Sequence, residues 1–493
     1  MSARQQFVAK NGRAQVSVDG QIPVSLQQLL FGNDDSDDGK QLDADRLAER
    51  YQACMKKAIC AMSIGGRYVA LAYESRFMLL EWGQADGRGD CQLVSLGNDA
   101  AMADETITAL YCMDIYTPQL QRRGAGSVCV VAGYSSGYMR VFSAHGHLLT
   151  AHQFHPQPLI HIRLRMPLPD TSRQRMTAGE SEEMNLTFQD GTMVSVDGRS
   201  LYLALRLCLS EAADDSAGPM FQYKKWAFDL HTPRVSDAIS FGPTMRDPLA
   251  QLAKHEHTSS PHVAEATARF LVAPCHGDAA FGVFATSEDA AAAVSAVAVA
   301  GKMAARVTGA VLSMAKSYFR RSTALSESGQ STPSRTDAGT RVPCVMAVRD
   351  SPRKVLSIAL SPESYALAAL TDSLGRVMVV DLESCEVVDM LKGLRGSQCA
   401  WMENTESDKE QCVFVVVYAA RRGVVEVYGL GAEGQLQASV SVGQGWTLVQ
   451  GPTQPLGGSL VVETAGSERR ATQPVPATCV LLGDNGRIAR ISA

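Results

Sequence analysis

Residues 133–137, Gly-Tyr-Ser-Ser-Gly, match the G-x-S-x-G pattern of serine hydrolases. In that chemistry the serine stands on a sharp turn from a strand into a helix, which exposes its hydroxyl. Residues 138–142 instead alternate between apolar and polar side chains, as a strand does. A hairpin turn therefore explains the motif, and a serine hydrolase acting through Ser135 is kept only as a second alternative function.

Residues 429–434, Gly-Leu-Gly-Ala-Glu-Gly, match the G-x-G-x-x-G pattern of dinucleotide sites. Such a site needs a helix that begins within the motif, because the helix N-terminus meets the pyrophosphate. Residues 435–442 alternate as a strand, which favours a hairpin loop. The sequence has no phosphate-binding G-x-x-x-x-G-K-[ST] motif, and we predict no cofactor.

Five of the ten histidines lie close together in the sequence, at His145, His147, His152, His155 and His161. A zinc site needs three or four convergent ligands, and no cysteine pair accompanies these histidines. The stretch also has the pattern of strands and turns. We therefore interpret the histidines as solvated or hydrogen-bonded and predict neither a metal site nor a catalytic residue.

One aromatic and basic cluster has the composition of a protein-binding site. It consists of Tyr223, Lys224, Lys225 and Trp226. A tryptophan beside cations can anchor a partner or form a cation–π pair. The alternative is an ordinary strand whose aromatic side chains pack on a neighbour.

Arg421 and Arg422 are a second candidate for protein contact, because they precede Gly423 at a predicted hairpin tip. GTPase activation usually needs an arginine at the developing phosphate charge, so this pair is a tempting candidate for that role. An ordinary solvated turn has the same composition.

The elements that must position these residues are strands. Residues 355–390 show four apolar, β-branched runs separated by short turn clusters, the pattern of consecutive antiparallel strands. Four such strands make one blade of a β-propeller, a fold that commonly presents surfaces to other proteins. A glycine followed by an apolar strand recurs at Gly137, Gly375, Gly423 and Gly486.

We therefore predict an all-β protein: a WD-repeat-like β-propeller over residues 55–493 with seven blades, preceded by a weakly ordered segment, residues 1–54. A β-sandwich of unrelated hairpins is the alternative, but sandwiches rarely reach this length. Residues 201–209 predict a short helix.

A long insertion is predicted between two strands. Residues 286–321 form an Ala-rich amphipathic helix, and residues 322–340, rich in Ser and Thr, form a flexible linker. The basic face of residues 288–321 could contact an anionic membrane or a partner groove. The alternative is a helix packed against the propeller.

Composition limits the class of protein. The formal net charge is -5, which gives no basic footprint for nucleic acid. The 12 cysteines include no C-x-x-C pair, which is typical of a reducing, intracellular compartment. No secretory signal or apolar run of membrane-spanning length is found. We expect a cytoplasmic protein.

Five segments in order resemble the N-terminal region of the non-catalytic, regulatory subunit of the Rab-three GTPase-activating complex. They are VVAGYSSGYMRV (130–141), YKKW (223–226), the Ala-rich helix, the blade from LSP (360–362) through DSLGRV (372–377) to LKG (391–393), and YAARRGVVEV (418–427). Together they span roughly residues 58–490.

The resemblance implies a protein that is not itself an enzyme and that pairs with a separate catalytic subunit. In that family the catalytic subunit supplies the GTPase-activating centre, and the complex acts on Rab proteins in vesicle traffic. It therefore implies a Rab GTPase as a direct or indirect partner and a location on endomembranes. A generic propeller adaptor in another complex is the first alternative.

Overall fold

The computed structural model of this protein describes fourteen stretches of the chain. They are residues 6–8, 15–32, 44–82, 91–98, 104–117, 127–167, 182–209, 221–230, 234–243, 267–287, 339–404, 412–430, 436–458 and 475–492. Within these stretches thirty strands form seven sheets, accompanied by three α-helices.

Each sheet is one blade, and in blades 1 to 6 the strands follow in chain order from the inside outwards. Blade 1 holds β3 (Ile59–Met62), β4 (Tyr68–Tyr73), β5 (Arg76–Glu81) and β6 (Gln92–Asn98). Blade 2 holds β7 (Ile107–Ile115), β8 (Ser127–Tyr134), β9 (Tyr138–Ser143) and β10 (Leu148–Gln153). Blade 3 holds β11 (Leu159–Arg165), β12 (Glu183–Phe188), β13 (Thr192–Asp197) and β14 (Tyr223–Phe228).

The remaining blades repeat this order. Blade 4 holds β15 (Val235–Pro243), β16 (Thr267–Pro274), β17 (Ala279–Ser287) and β19 (Cys344–Arg349). Blade 5 holds β20 (Val355–Leu360), β21 (Leu367–Asp372), β22 (Arg376–Asp381) and β23 (Glu386–Lys392). Blade 6 holds β24 (Ser397–Glu403), β25 (Val413–Ala419), β26 (Val424–Gly429) and β27 (Leu436–Ser441).

Blade 7 joins the two ends of the described chain. Its inner strands are β28 (Trp446–Gln450), β29 (Cys479–Gly483) and β30 (Arg487–Ser492). Its outer strands come from the N-terminal region, β2 (Gln15–Gln21) and β1 (Gln6–Val8). Because β2 pairs antiparallel with β30, backbone hydrogen bonds close the ring.

The seven inner strands form that ring. Each one contacts the inner strand of the next blade, and β28 of blade 7 contacts β3 of blade 1. The core is divided in the same way: seven buried apolar clusters each combine residues from two neighbouring blades. The prediction of a seven-bladed β-propeller is confirmed.

The ring has two faces, which we define by the direction of the inner strands. The inner strands begin at the upper face, where the turns between second and third strands also lie. They end at the lower face, which carries the turns from first to second and from third to fourth strands. The predicted helix near residue 201 is observed there as α3 (Gly198–Leu209), between β13 and β14.

The structure starts the propeller earlier than predicted. Within residues 1–54, β2 is part of blade 7, and α1 (Val24–Phe31) and α2 (Ala44–Met55) lead from it to blade 1. Leu30 and Tyr51 are buried between blades 7 and 1. This segment is therefore not weakly ordered throughout. It has few apolar residues, but Val16 and Ile22 are buried because blade 7 supplies packing partners for them.

The predicted insertion lies mainly outside the described residues. Residues 286 and 287, the expected start of the helix, are the end of β17. Residues 288–338, with most of the helix and the linker, lie outside the described part. The chain re-enters it at Gly339, and β18 (Thr340–Val342) pairs parallel with β14, so the last residue of the expected linker belongs to a strand.

Candidate functional site

A buried carboxylate connects the inner strands of three blades. Asp237, on β15, is fully buried and receives both guanidinium ends of Arg163 from β11, each at 2.7 Å. The backbone N–H of Ile358, on β20, donates to the same carboxylate at 2.8 Å. Burial alone would raise the pKa of Asp237, but the charges of Arg163 and His161 and these hydrogen bonds hold it below its ordinary value.

Beside this group, a central cavity of about 630 Å³ opens among the inner strands towards the lower face. All seven blades contribute to its wall, through the C-terminal halves of most inner strands and the residues that follow them. The wall is largely apolar, with side chains such as Leu164, Phe241 and Val449. A cavity with an apolar wall and a few polar groups is the usual form of a small-ligand or peptide site.

The charged groups of the cavity are of two kinds. Arg163 and Arg165 line it but are ion-paired, the latter with Glu183 at 3.0 Å. Arg269 lines it without a carboxylate partner among the described residues. Burial raises the pKa of the Glu363 carboxyl, which accepts a hydrogen bond from the Thr453 hydroxyl at 3.3 Å.

The sequence did not predict this cavity, because its wall is assembled from positions up to several hundred residues apart. Its polar members lie inside strands with no motif around them. The only sequence signal was a charged residue within an apolar run, as at Asp237 in β15 and Arg269 in β16.

The serine motif forms a hairpin turn on the upper face, between β8 and β9. The Ser135 hydroxyl accepts a hydrogen bond from the backbone N–H of Thr106 at 3.1 Å, and the Ser136 hydroxyl donates to Glu105. Glu105 also pairs with the buried Arg140 at 2.8 Å. The chain continues as a strand and not as a helix, as the predicted hairpin turn requires, so the strand-to-helix turn of the alternative, a serine hydrolase, is not formed at Ser135.

The aromatic and basic cluster lies on β14, where its tryptophan is a core residue. Trp226 is only 2% exposed, donates from its indole nitrogen to the Ser195 hydroxyl at 3.1 Å and packs on Phe270 of blade 4. Tyr223 stands edge-on to Phe154. The lysines Lys224 and Lys225 are half-buried. Trp226 therefore cannot be a surface anchor, since its packing partner is the next blade.

Arg421 and Arg422 lie, as predicted, at a hairpin tip, between β25 and β26 on the upper face. Both are exposed. The Arg422 guanidinium is 2.9 Å from the Glu426 carboxylate, and the backbone carbonyl of Arg421 accepts from the Gln444 amide. Because β14 starts at the lower face, the structure does not bring this pair together with Tyr223, Lys224, Lys225 and Trp226.

The clustered histidines have separate roles. His155 pairs with Asp190 at 2.7 Å, His161 lies 3.1 Å from the carbonyl of Ser236, and His152 packs on Phe154. Within the described stretches no group of three or more His, Cys, Asp or Glu side chains could hold a metal ion. In the same stretches, none of the helices has the length and hydropathy to cross a bilayer.

Exposed apolar residues concentrate on the outer strands of blades 4 and 5. On β19, Val345 is 68% and Met346 37% exposed. On β23, Val387, Val388 and Met390 are exposed as well. We call these five residues the outer apolar strip. Exposed apolar side chains in such a group commonly mark a protein contact.

The sequence comparisons agree on one family. A family model described as the Rab3 GTPase-activating protein regulatory subunit N-terminus matches residues 55–449. A Rab3 GTPase-activating protein regulatory subunit from Caenorhabditis elegans is 34% identical over 76 residues, 15% of this chain. That match covers 6% of the length of the C. elegans protein.

Solved structures of similar shape cover most of the chain at low identity. One is the crystal structure of Saccharomyces cerevisiae Sqt1, with 12% identity, a TM-score of 0.39 and coverage of 88% of this chain and 82% of that one. Another is a chain of the mitotic checkpoint complex, with 9% identity, a TM-score of 0.42 and coverage of 89% and 88%.

Proposed function

This chain belongs to the family of Rab3 GTPase-activating protein regulatory subunits, and we propose that it is the non-catalytic propeller module of a Rab GTPase-activating complex. In this role it binds a separate catalytic subunit and regulates the activity of a Rab GTPase in vesicle traffic. The observation that carries the proposal is the family match over residues 55–449, which spans the propeller from blade 1 into blade 7.

Two features of the molecule support a binding role. The outer apolar strip is available to a partner, and the fold is one that commonly presents surfaces. We assign the contact with the catalytic subunit to this strip, since β19 and β23 are edge strands that carry exposed apolar side chains. Residues Arg421 and Arg422 remain a proposed second contact on the upper face.

The proposal includes that this chain alone does not accelerate GTP hydrolysis. An activating arginine must reach the transferred phosphate, and it contributes roughly 10³ to 10⁵ in rate. Arg422 is held by Glu426 and flanks an ordinary turn at Gly423. We therefore propose that the partner supplies the activating arginine.

A purified-component assay tests the catalytic part. GTP hydrolysis by a Rab is measured with this chain alone, with the catalytic subunit alone and with both. We expect no acceleration by this chain alone. If it does accelerate hydrolysis, and Arg421→Ala or Arg422→Ala removes the effect, the non-catalytic proposal fails.

Co-purification tests the binding part. We expect the catalytic subunit to co-elute with the unmodified chain in size-exclusion chromatography. A Val345→Glu, Val388→Glu double variant should weaken this association at least tenfold, because it places charges in an apolar contact. Leu148→Glu is the matched control, since Leu148 is 47% exposed on the outer strand β10 of blade 2. Equal loss in both variants would contradict the assigned surface, and no association of the unmodified chain would contradict subunit pairing.

For location we propose the cytoplasm, with peripheral attachment to endomembranes through residues 288–321. Flotation of the full chain with anionic vesicles tests the attachment. Deletion of residues 288–321 should abolish flotation, whereas Arg421→Ala should leave it unchanged. Flotation that survives the deletion would exclude this segment as the attachment site.

A further inference from the structure

The central cavity holds an arginine whose ligand-binding edge is unused. All hydrogen bonds of the Arg269 guanidinium within the described residues start from Nη1, which donates to the carbonyls of Leu382 and Glu383, both at 3.2 Å. Its Nε is buried and has no hydrogen-bond partner in the described part of the chain. A buried N–H without an acceptor is costly, so such groups usually serve a ligand or a water.

The geometry of this free edge suits an oxyanion. The Nε–H and Nη2–H groups of an arginine point the same way and can receive two oxygens of one carboxylate or phosphate side by side. The two backbone acceptors on Nη1 and the ring of Phe241, 4.7 Å from the guanidinium, fix the plane of Arg269. The edge is therefore oriented before any ligand arrives.

The neighbouring backbone is shaped to leave room. Arg269 on β16 lies opposite Gly242 on β15. A side chain at Gly242 would stand 2.8 Å from Nη1 of Arg165, so the glycine, with a φ of +81°, leaves room for the Arg165 guanidinium. Arg165 is already paired with Glu183, so its charge is largely compensated and it does not compete with Arg269 for the ligand.

No carboxylate of the described residues forms an ion pair with Arg269, although Glu383 and Asp381 act on it electrostatically. Burial raises the pKa of the Glu363 carboxyl. Glu383 meets Arg269 through its backbone carbonyl, and its side chain is exposed. Burial lowers the pKa of Arg269, and the nearby Glu383 and Asp381 carboxylates only partly oppose this shift.

We propose that the central cavity binds an oxyanion carried on an apolar body, with the Arg269 guanidinium receiving the oxyanion and the apolar wall receiving the body. A carboxylate or a phosphate on an apolar peptide segment or small molecule has this chemistry. The site is separate from the outer apolar strip and does not depend on the proposed role in Rab regulation.

Matched probes test the charge requirement on the unmodified full chain. They are para-trifluoromethyl phenylacetate, its uncharged amide and para-trifluoromethyl phenyl phosphate, each followed by fluorine NMR titration. We expect the acid to bind about tenfold more tightly than the amide, since a charge-assisted bidentate contact is worth roughly that factor. Tighter binding of the acid than of the phosphate identifies a carboxylate site, and the reverse identifies a phosphate site. Equal affinity for acid and amide, or no binding of either anion, would overturn the proposal.

Variants then locate the site. Arg269→Gln should remove the preference for acid over amide, Arg269→Lys should keep part of it, and Arg395→Gln, at an exposed position between β23 and β24 on the upper face, should leave it unchanged. Circular dichroism and the melting temperature check that each variant folds. If Arg269→Gln folds and keeps the full preference, Arg269 is not the receptor. If Arg269→Gln does not fold, Arg269→Lys decides, because lysine keeps the positive charge and lacks the planar set of N–H donors of arginine.

Discussion

At the scale of single residues, burial separates side chains that pack in the core from side chains that a partner could contact. Trp226 was a reasonable candidate for partner contact by type and neighbours, yet its indole nitrogen satisfies Ser195 inside the core. Sequence alone cannot separate these outcomes, because an aromatic residue in a strand faces either solvent or the next blade, and that depends on the blade-to-blade register. For Arg421 and Arg422 the turn residue Gly423 was sufficient to predict exposure.

Asp237 should be among the most sensitive positions of the molecule. We expect Asp237→Asn to lower the free energy of unfolding by about 3 kcal/mol, because Arg163 would lose its buried counter-charge. The urea midpoint, followed by tryptophan fluorescence, measures the loss.

The control for this prediction is Glu81→Gln. Glu81 pairs with Arg67 at 2.8 Å, but both side chains are substantially exposed, so its removal should cost less than about 1 kcal/mol. Similar midpoints for Asp237→Asn and Glu81→Gln would show that the buried pair does not hold the three blades together.

Asp114 gives a prediction with a defined pH dependence. Burial raises its pKa to about 6, although its carboxylate accepts a hydrogen bond from the backbone N–H of Ile64 at 2.8 Å. With a folded pKa above the unfolded one, its contribution to stability is fully present below about pH 4 and is lost as the pH rises through about 6.

Asp114→Asn keeps an acceptor for Ile64 and removes the charge. We compare the free energy of unfolding of the variant with that of the unmodified chain. This difference should favour the variant by on the order of 2 kcal/mol more at pH 7.5 than at pH 4.5. Melting temperatures of both proteins across this range measure the difference. A difference that does not change with pH would contradict the raised pKa of Asp114.

At the scale of elements, the recurring glycine was correctly placed and has a physical reason. Gly137, Gly375, Gly423 and Gly486 each precede the third strand of a blade with positive φ. At Gly137 an added Cβ would lie 1.8 Å from the backbone carbonyl of His155, in the connection to the next blade. The recurring glycine therefore marks a close approach between blades. Because these approaches need a glycine, the pattern can be found in a single sequence.

Gly137→Ala should destabilise the protein by about 2–4 kcal/mol, from left-handed strain and from the backbone shift that the contact forces. Gly277→Ala is the matched control, because Gly277 has a φ of +91° at the equivalent turn of blade 4 and no atom within 4 Å of an added Cβ. It should cost only the strain, about 1 kcal/mol. Equal melting temperatures of the two variants would refute the role of the blade connection.

At the scale of the whole molecule, ring closure depends on β2. The sequence did not reveal this strand, since its polar, alternating residues acquire a buried face only beside β30. Val16, 1% exposed, packs in the cluster shared by blades 6 and 7. Propeller class and strand positions followed from local patterns, whereas closure and the central cavity depend on contacts between distant parts of the chain.

Deletion of residues 1–21 should therefore open blade 7, lower the melting temperature and make β30 accessible to proteases. Deletion of residues 1–14, which removes β1 and keeps β2, should have a small effect. A synthetic peptide of residues 15–22, added in excess, should partly restore the melting temperature of the shorter chain. If both deletions behave like the full chain, β2 is not required for closure.

The pairing of β2 with β30 also orders the events of biosynthesis. The ribosome makes β30 some 470 residues after β2, a delay of roughly half a minute to a minute and a half at ordinary elongation rates. Throughout that interval the three-residue β1 is the one partner strand available to β2 in its own blade, while blades 1 to 6 can already fold. The nascent chain thus carries a β-edge that still lacks β30, and we expect it to need chaperone protection until blade 7 has been synthesised.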